Sequence, residues 1–129
     1  MEQPNYLIDT NAVIDYLGGK LSAGGMAFMD AIMNEIPNVS VITKIEVLGF
    51  NASKEHYTIL SNFISDAIVF DLTDEVVNVC IALRKVYRAK LPDAIIAATA
   101  LVNDFTLITR NVSDFKNIQG LRIYNTNEN

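Results

Sequence analysis

Apolar residues along this chain recur with two periods. Short runs of consecutive apolar residues mark buried strands at 5–10 (NYLIDT), 39–43 (VSVIT), 68–72 (IVFDL), 106–109 (TLIT) and 121–125 (LRIYN). Between them the spacing turns helical. It predicts helices over 11–17, ended by Gly18-Gly19, and over 22–36, with Phe28, Met29, Ile32, Met33 and Ile36 on one face and Pro37 as the stop. Further helices are predicted over 44–50, over 53–67 (Tyr57, Leu60, Phe63, Ile64) and over 74–89. Thr73 is placed to cap the last of these, whose stripe is Val76, Cys80, Leu83 and Tyr87. A helix over about 92–104 is different. From Ala94 to Leu101 its only polar residue is Thr99, so it is apolar on every side and belongs in the interior. Asp93 nevertheless stands at its head, one residue after Pro92.

Strands and helices alternate, and no strand pair is joined by a tight hairpin signal. That pattern predicts an α/β fold, a largely parallel central sheet flanked by helices on both faces. Such sheets bind ligands at the carboxyl ends of their strands. Neither repeats nor linkers interrupt the 129 residues, so residues 1–129 are read as one domain.

Half of the residues are apolar and the mean hydropathy is +0.23, enough for a sizeable core. No apolar run reaches the ~18 residues of a membrane span. The N-terminal stretch lacks a basic region and carries Asp9 and Asp15 among its apolar residues, a poor signal peptide. The expectation is a cytoplasmic protein with no membrane partner. One cysteine, Cys80, excludes an internal disulfide and a cysteine-built zinc site, and its place on a helical stripe makes it a small core residue. The net charge of −5 argues against broad electrostatic adhesion to nucleic acid, while leaving room for a local basic patch.

Four carboxylates stand out against this frame. Asp9 ends the first strand. Glu46 falls in the first turn of the helix after the second strand. Asp93 opens the buried helix, and Asp114 lies in the loop after TLIT. Each alone has an ordinary explanation, as a cap, a dipole partner or a turn residue. In a parallel sheet, however, Asp9, Glu46 and Asp114 gather at one edge, and Asp93 joins them if its helix starts there. Carboxylates within ~4 Å repel by roughly 1–4 kcal/mol per pair, so such a cluster shares protons or binds a cation. The only histidine, His56, lies in another segment. Oxygen ligands without His or Cys select a hard cation, Mg²⁺ or Mn²⁺, which can lower the pKa of a water and stabilise charge on a phosphoryl oxygen.

These residues also carry a family resemblance. LIDTN (7–11), the glutamate of ITKIEVLGF (42–50), LPDAIIAATA (91–100) and LITRNVSDF (107–115) resemble the PIN-domain ribonucleases, and more narrowly the VapC toxins of bacterial toxin–antitoxin pairs. The motifs stand in family order over nearly the whole chain. The resemblance implies a PIN fold and a Mg²⁺- or Mn²⁺-dependent endoribonuclease that hydrolyses RNA phosphodiesters with a metal-activated water. It implies Asp9, Glu46 and Asp93 as catalytic metal ligands, with Asp114 at the fourth acidic position, as a ligand or acting through water. Thr10 and Asn11 follow the catalytic aspartate as in the family. Asn111 falls where relatives carry a polar or acidic residue that can orient a water or ligand, and Thr109 is placed to hold Asp9 or an adjacent group. Homodimerisation and neutralisation by a small VapB-like antitoxin are further implications. Phosphate contacts are expected from Lys44 and Arg110 beside the motifs, and from Arg84 and Arg88 in RKVYRAK (84–90), although basic residues late in a helix also complement its dipole.

Other reaction classes fit less well. A phosphatase of the haloacid-dehalogenase type needs a second acid two residues after the first, where this chain has Asn11. A receiver domain needs an acidic pair near its first strand, which offers only Asp9. Gly18-Gly19 and Gly24-Gly25 lack the dinucleotide-binding spacing. The remaining alternative is a PIN-like module that binds RNA or protein without cutting.

Overall fold

The structure, a computed structural model, describes residues 5–126. Five strands, β1 (Tyr6–Ile8), β2 (Asn38–Ser40), β3 (Ile68–Phe70), β4 (Thr106–Thr109) and β5 (Arg122–Asn125), form one sheet in the order β3-β2-β1-β4-β5. Every pairing is parallel, so the sheet is wholly rather than largely so among the described residues. Between the strands run helices α1 (Thr10–Leu17), α2 (Ala23–Met33), α3 (Val41–Leu48), α4 (Lys54–Asp66), α5 (Asp74–Val86), α6 (Leu91–Val102) and α7 (Val112–Phe115).

The strand pleat divides the core in two. Leu7 and Leu107 are register partners, and both point toward α5, α6 and α7, where Val76, Leu83, Ala97 and Phe115 are buried with them. Ile8 and Ile108, the next pair, point to the other face and pack with Val13, Met29, Val47, Leu60 and Ile64. A single step along β1 thus serves two cores, which is why its runs are apolar without alternation.

Side-chain caps start the helices where chain direction changes. Ser22, Ser53 and Thr73 accept hydrogen bonds from the backbone N–H groups of Gly25, His56 and Val76. Ser40 does the same for Ile42 N, and there the structure departs from the expected boundary. Residues 41–43, read as strand from their β-branched side chains, are the first turn of α3. The cap outweighs a preference that depends on finding a strand partner, and β2 has none beyond Ser40. Glu46 consequently sits in the second turn of α3, not the first.

Other boundaries move as well: β1 ends at Ile8, so Thr10 opens α1, and β3 ends at Phe70. α2 stops at Met33, leaving Ile36 exposed, and α5 stops at Val86, so Arg88 lies beyond it. Tyr57 lies outside the buried face of α4, which rests on Leu60 and Ile64. The segment read as a polar loop after β4 contains α7, a single turn anchored by buried Phe115. Cys80 is buried on the α5 stripe as expected.

Candidate active site

α6 has Pro92 in its first turn, where no intrahelical N–H partner is lost, and seven consecutive buried residues from Ala94 to Ala100. Its direction is set at its far end. Just beyond it, Thr106 N donates to Asn5 O beside the start of β1. Twelve residues of helix span about 18 Å, so the first turn reaches back to the carboxyl edge of the sheet. That brings Asp93 to the edge where Asp9 lies.

Asp9 follows β1 and caps α1. Its backbone N donates to Ile108 O at 3.0 Å, and its Oδ1 accepts from Ala12 N at 2.8 Å. Only 4% of Asp9 is exposed. That burial raises its pKa to about 6, the nearby Asp93 charge adds to the rise, and hydrogen bonds from the Thr109 side chain and Ala12 N oppose it. Thr109, fully buried at the end of β4, hydrogen-bonds Asp9; its Oγ1 also accepts from Asn111 N at 2.9 Å. Burial, then the charge of Asp114, push Asp93 up as well; Lys90 opposes and Glu46 adds to the rise.

Thr10 donates from Oγ1 to Glu46 Oε1 at 2.7 Å and lies 3.1 Å from Thr43 Oγ1. This ties α1 to α3 and orients the Glu46 carboxylate. Thr43, fully buried, was not singled out from the sequence. Its signal was its place three residues before Glu46, on the same helix face.

Asp9, Thr10, Asn11, Glu46, Asp93, Ile96 and Asn111 line one cleft of about 80 Å³, room for an ion and one or two waters. Six of the sequence-predicted site residues meet there. Asp114 is exposed in α7, outside that lining, but close enough to act on Asp93. The predicted RNA contacts divide. Lys44, Arg84 and Arg88 are exposed. Arg110 is engaged with buried Asp15 of α1 at 2.8 Å, and its charge also lowers the pKa of Asp9. Sequence reading passed over Asp15, because a single acid on an amphipathic helix carries no partner signal.

A cleft walled by three carboxylates from three elements, at the edge of a five-stranded parallel sheet in this order, is a family arrangement. The PIN domain family model matches residues 6–121. This chain is a PIN-domain protein. Ribonuclease VapC1 of Rickettsia felis is 28% identical to this PIN domain over 91% of the chain and 92% of the relative. A toxin–antitoxin complex from Klebsiella pneumoniae contains a chain 30% identical to it, with a TM-score of 0.78, over 97% of this chain and all of that one. VapBC2 from Rickettsia felis, solved with a promoter DNA fragment, shares the fold at a TM-score of 0.78 and 21% identity, over 93% and 97% of the two chains.

The cleft also fits a hard cation. No lysine or arginine lines it, its polar groups are all carboxylate, amide and hydroxyl, the charge of Asp93 raises the pKa of Asp9, and that of Glu46 raises the pKa of Asp93. Among the described residues no three acidic, histidine or cysteine side chains form a ready-made metal cage. Mg²⁺ does not need one, since it keeps several waters and takes one or two carboxylates.

Proposed function

We propose that this PIN-domain protein is a VapC-type toxin, an endoribonuclease that hydrolyses RNA phosphodiesters with Mg²⁺ or Mn²⁺. The observation that carries the reading is the convergence of Asp9, Glu46 and Asp93 from three separate elements on one cleft. Its relatives named as a VapC ribonuclease and as part of a toxin–antitoxin complex support the same reading. Asp9, Glu46 and Asp93 would hold the cation, one or two of them directly and the rest through its waters. When bound, it supplies charge stabilisation at a phosphoryl oxygen and a more acidic water.

The chain's own residues do the rest. Thr10 fixes the Glu46 carboxylate through its 2.7 Å hydrogen bond. Thr109 and Ala12 N hold Asp9 against the charge of Asp93. Asn111, on the cleft wall, orients water or a phosphate oxygen through its amide. Asp114, near Asp93 but outside the lining, takes the proton of the attacking water at a carboxylate oxygen. Water adds to phosphorus as the bond to the leaving ribose oxygen breaks, and that oxygen takes a proton from solvent. Exposed Lys44, Arg84 and Arg88 are available to the phosphates on either side. Arg110 keeps Asp15 paired and contributes positive potential near Asp9.

The toxin would act in the cytoplasm, where its RNA substrate is, as a homodimer neutralised by a VapB-like antitoxin. Among the described residues no helix is long and apolar enough to cross a membrane. The exposed apolar side chains Leu72, Ile81 and Leu91, bordering one groove on α5 and α6, support a homodimer that covers them.

The test is cleavage of total RNA by antitoxin-free protein in Mn²⁺ or Mg²⁺ and in EDTA, beside Asp9→Asn. Discrete fragments that need both metal and Asp9 are expected. Intact RNA from folded, metal-supplied protein would replace this reading with a PIN-like module that binds without cutting.

A further inference from the structure

A second, larger groove opens directly beside the acidic cleft. Ile14, Ile45, Gly49, Phe50 and Asn51 line it together with Thr10, Asn11 and Glu46, the last three shared with the cleft. Its volume is about 630 Å³, ample for a nucleoside. Ile45 and Phe50 are 61% and 43% exposed, although both are large apolar side chains. Among the described residues, neither Asn11 nor Asn51 makes a side-chain hydrogen bond.

We infer that this groove is a subsite for one unstacked nucleobase flanking the scissile phosphate. The inference rests on the ribonuclease reading of the adjoining cleft. The phosphate is the charged part of a nucleotide and belongs over the cleft, where a cation offsets the carboxylates. The base is neutral, so Glu46 at the shared edge does not repel it. Bases of single-stranded RNA are recognised by stacking on aromatic faces and by hydrogen bonds to their edges. Phe50 provides the aromatic face. Asn11 and Asn51 each provide a donor and an acceptor, the pairing a base edge requires. A peptide backbone could also meet both amides; what favours a base is the edge the groove shares with the phosphate-binding cleft and the aromatic face of Phe50.

The experiment uses a short single-stranded oligoribonucleotide built around a cleavage site mapped in total RNA. Each base next to the cut is replaced in turn by an abasic residue. The protein is compared with Phe50→Ala and Phe50→Tyr, all checked for an unchanged melting temperature. Readouts are kcat/KM with Mn²⁺ and the oligonucleotide Kd in EDTA, the latter independent of catalysis. Stacking of one base predicts that Phe50→Ala weakens Kd and kcat/KM about ten- to a hundredfold, and that Phe50→Tyr keeps most of both. It also predicts that one abasic position costs the unaltered protein a similar factor and costs Phe50→Ala almost nothing more.

Equal cleavage and binding by Phe50→Ala and the unaltered protein would overturn the subsite while leaving the ribonuclease reading intact. So would additive losses from Phe50→Ala and every abasic position. Loss of antitoxin binding alone, with RNA kinetics unchanged, would assign the groove to a peptide instead. No cleavage of any RNA by the unaltered protein would remove the ribonuclease reading, and the subsite with it.

Discussion

Replacing Asp9 by asparagine is expected to stabilise the metal-free protein at neutral pH. Asp9 is 4% exposed, and burial raises its pKa from 3.8 to about 6. Folding therefore works against an ionised Asp9. A shift of that size corresponds to about 3 kcal/mol between the two protonation states. Asparagine keeps the capping oxygen that accepts from Ala12 N and caps helices as well as aspartate does. Its amide still has to be desolvated beside Thr109, so a net gain of about 1–2 kcal/mol is expected at pH 7.5. Between about pH 4 and 6 the folded chain keeps a proton on Asp9 that the unfolded chain has released. The stability due to this group is complete below pH 4, falls as pH rises through 6, and is level above that. The assay is urea unfolding in EDTA at several pH values, for both proteins. The difference between them should grow from pH 4 to 6 and then hold. Excess Mn²⁺ should reverse the order, because only the protein with an intact ligand set gains binding energy on folding. A variant less stable than the parent in EDTA at pH 7.5, or stability curves parallel from pH 4 to 7, would refute the reasoning.

Thr10→Val removes the donor to Glu46 Oε1, and kcat/KM should fall about tenfold or more while stability changes by under about 1 kcal/mol, read from cleavage kinetics and urea unfolding. Arg110→Met leaves buried Asp15 without its 2.8 Å partner. Because the arginine side chain is 42% exposed, the expected loss is about 1–2 kcal/mol rather than the larger cost of a fully buried pair, and Asp15→Asn in the same chain should recover part of it in a double-mutant cycle. Gly25→Ala would place a Cβ 2.5 Å from the Thr126 carbonyl oxygen, and displacing that backbone should cost about 1–3 kcal/mol in urea unfolding.

The order of strands and helices was legible in the sequence because the apolar runs and helical stripes alternate along the chain, and because Thr73 marks a helix start by local chemistry alone. The sequence also singled out Asp9, Glu46 and Asp93, charges placed where an apolar strand or helix has no packing use for them. At 41–43 it misled, since β-branched residues fit either element until a strand partner is present or absent, and β2 has none past Ser40. α7 was hidden because one turn held by Phe115 has too few residues for a period. What only the tertiary structure decided is who stands beside whom. Periodicity fixes which face of an element is buried but not its neighbour, which depends on contacts between residues far apart in the chain. The order β3-β2-β1-β4-β5 sets β1 between β2 and β4, so Asp9 is flanked by α3 and by the turn after β4. The direction of α6 then brings Asp93 to the same edge, while Asp114 of α7 stays just outside; the packing of α1 joins Thr10 to Thr43 and Asp15 to Arg110. Those pairings span from 33 to nearly a hundred positions, and no local spacing encodes them.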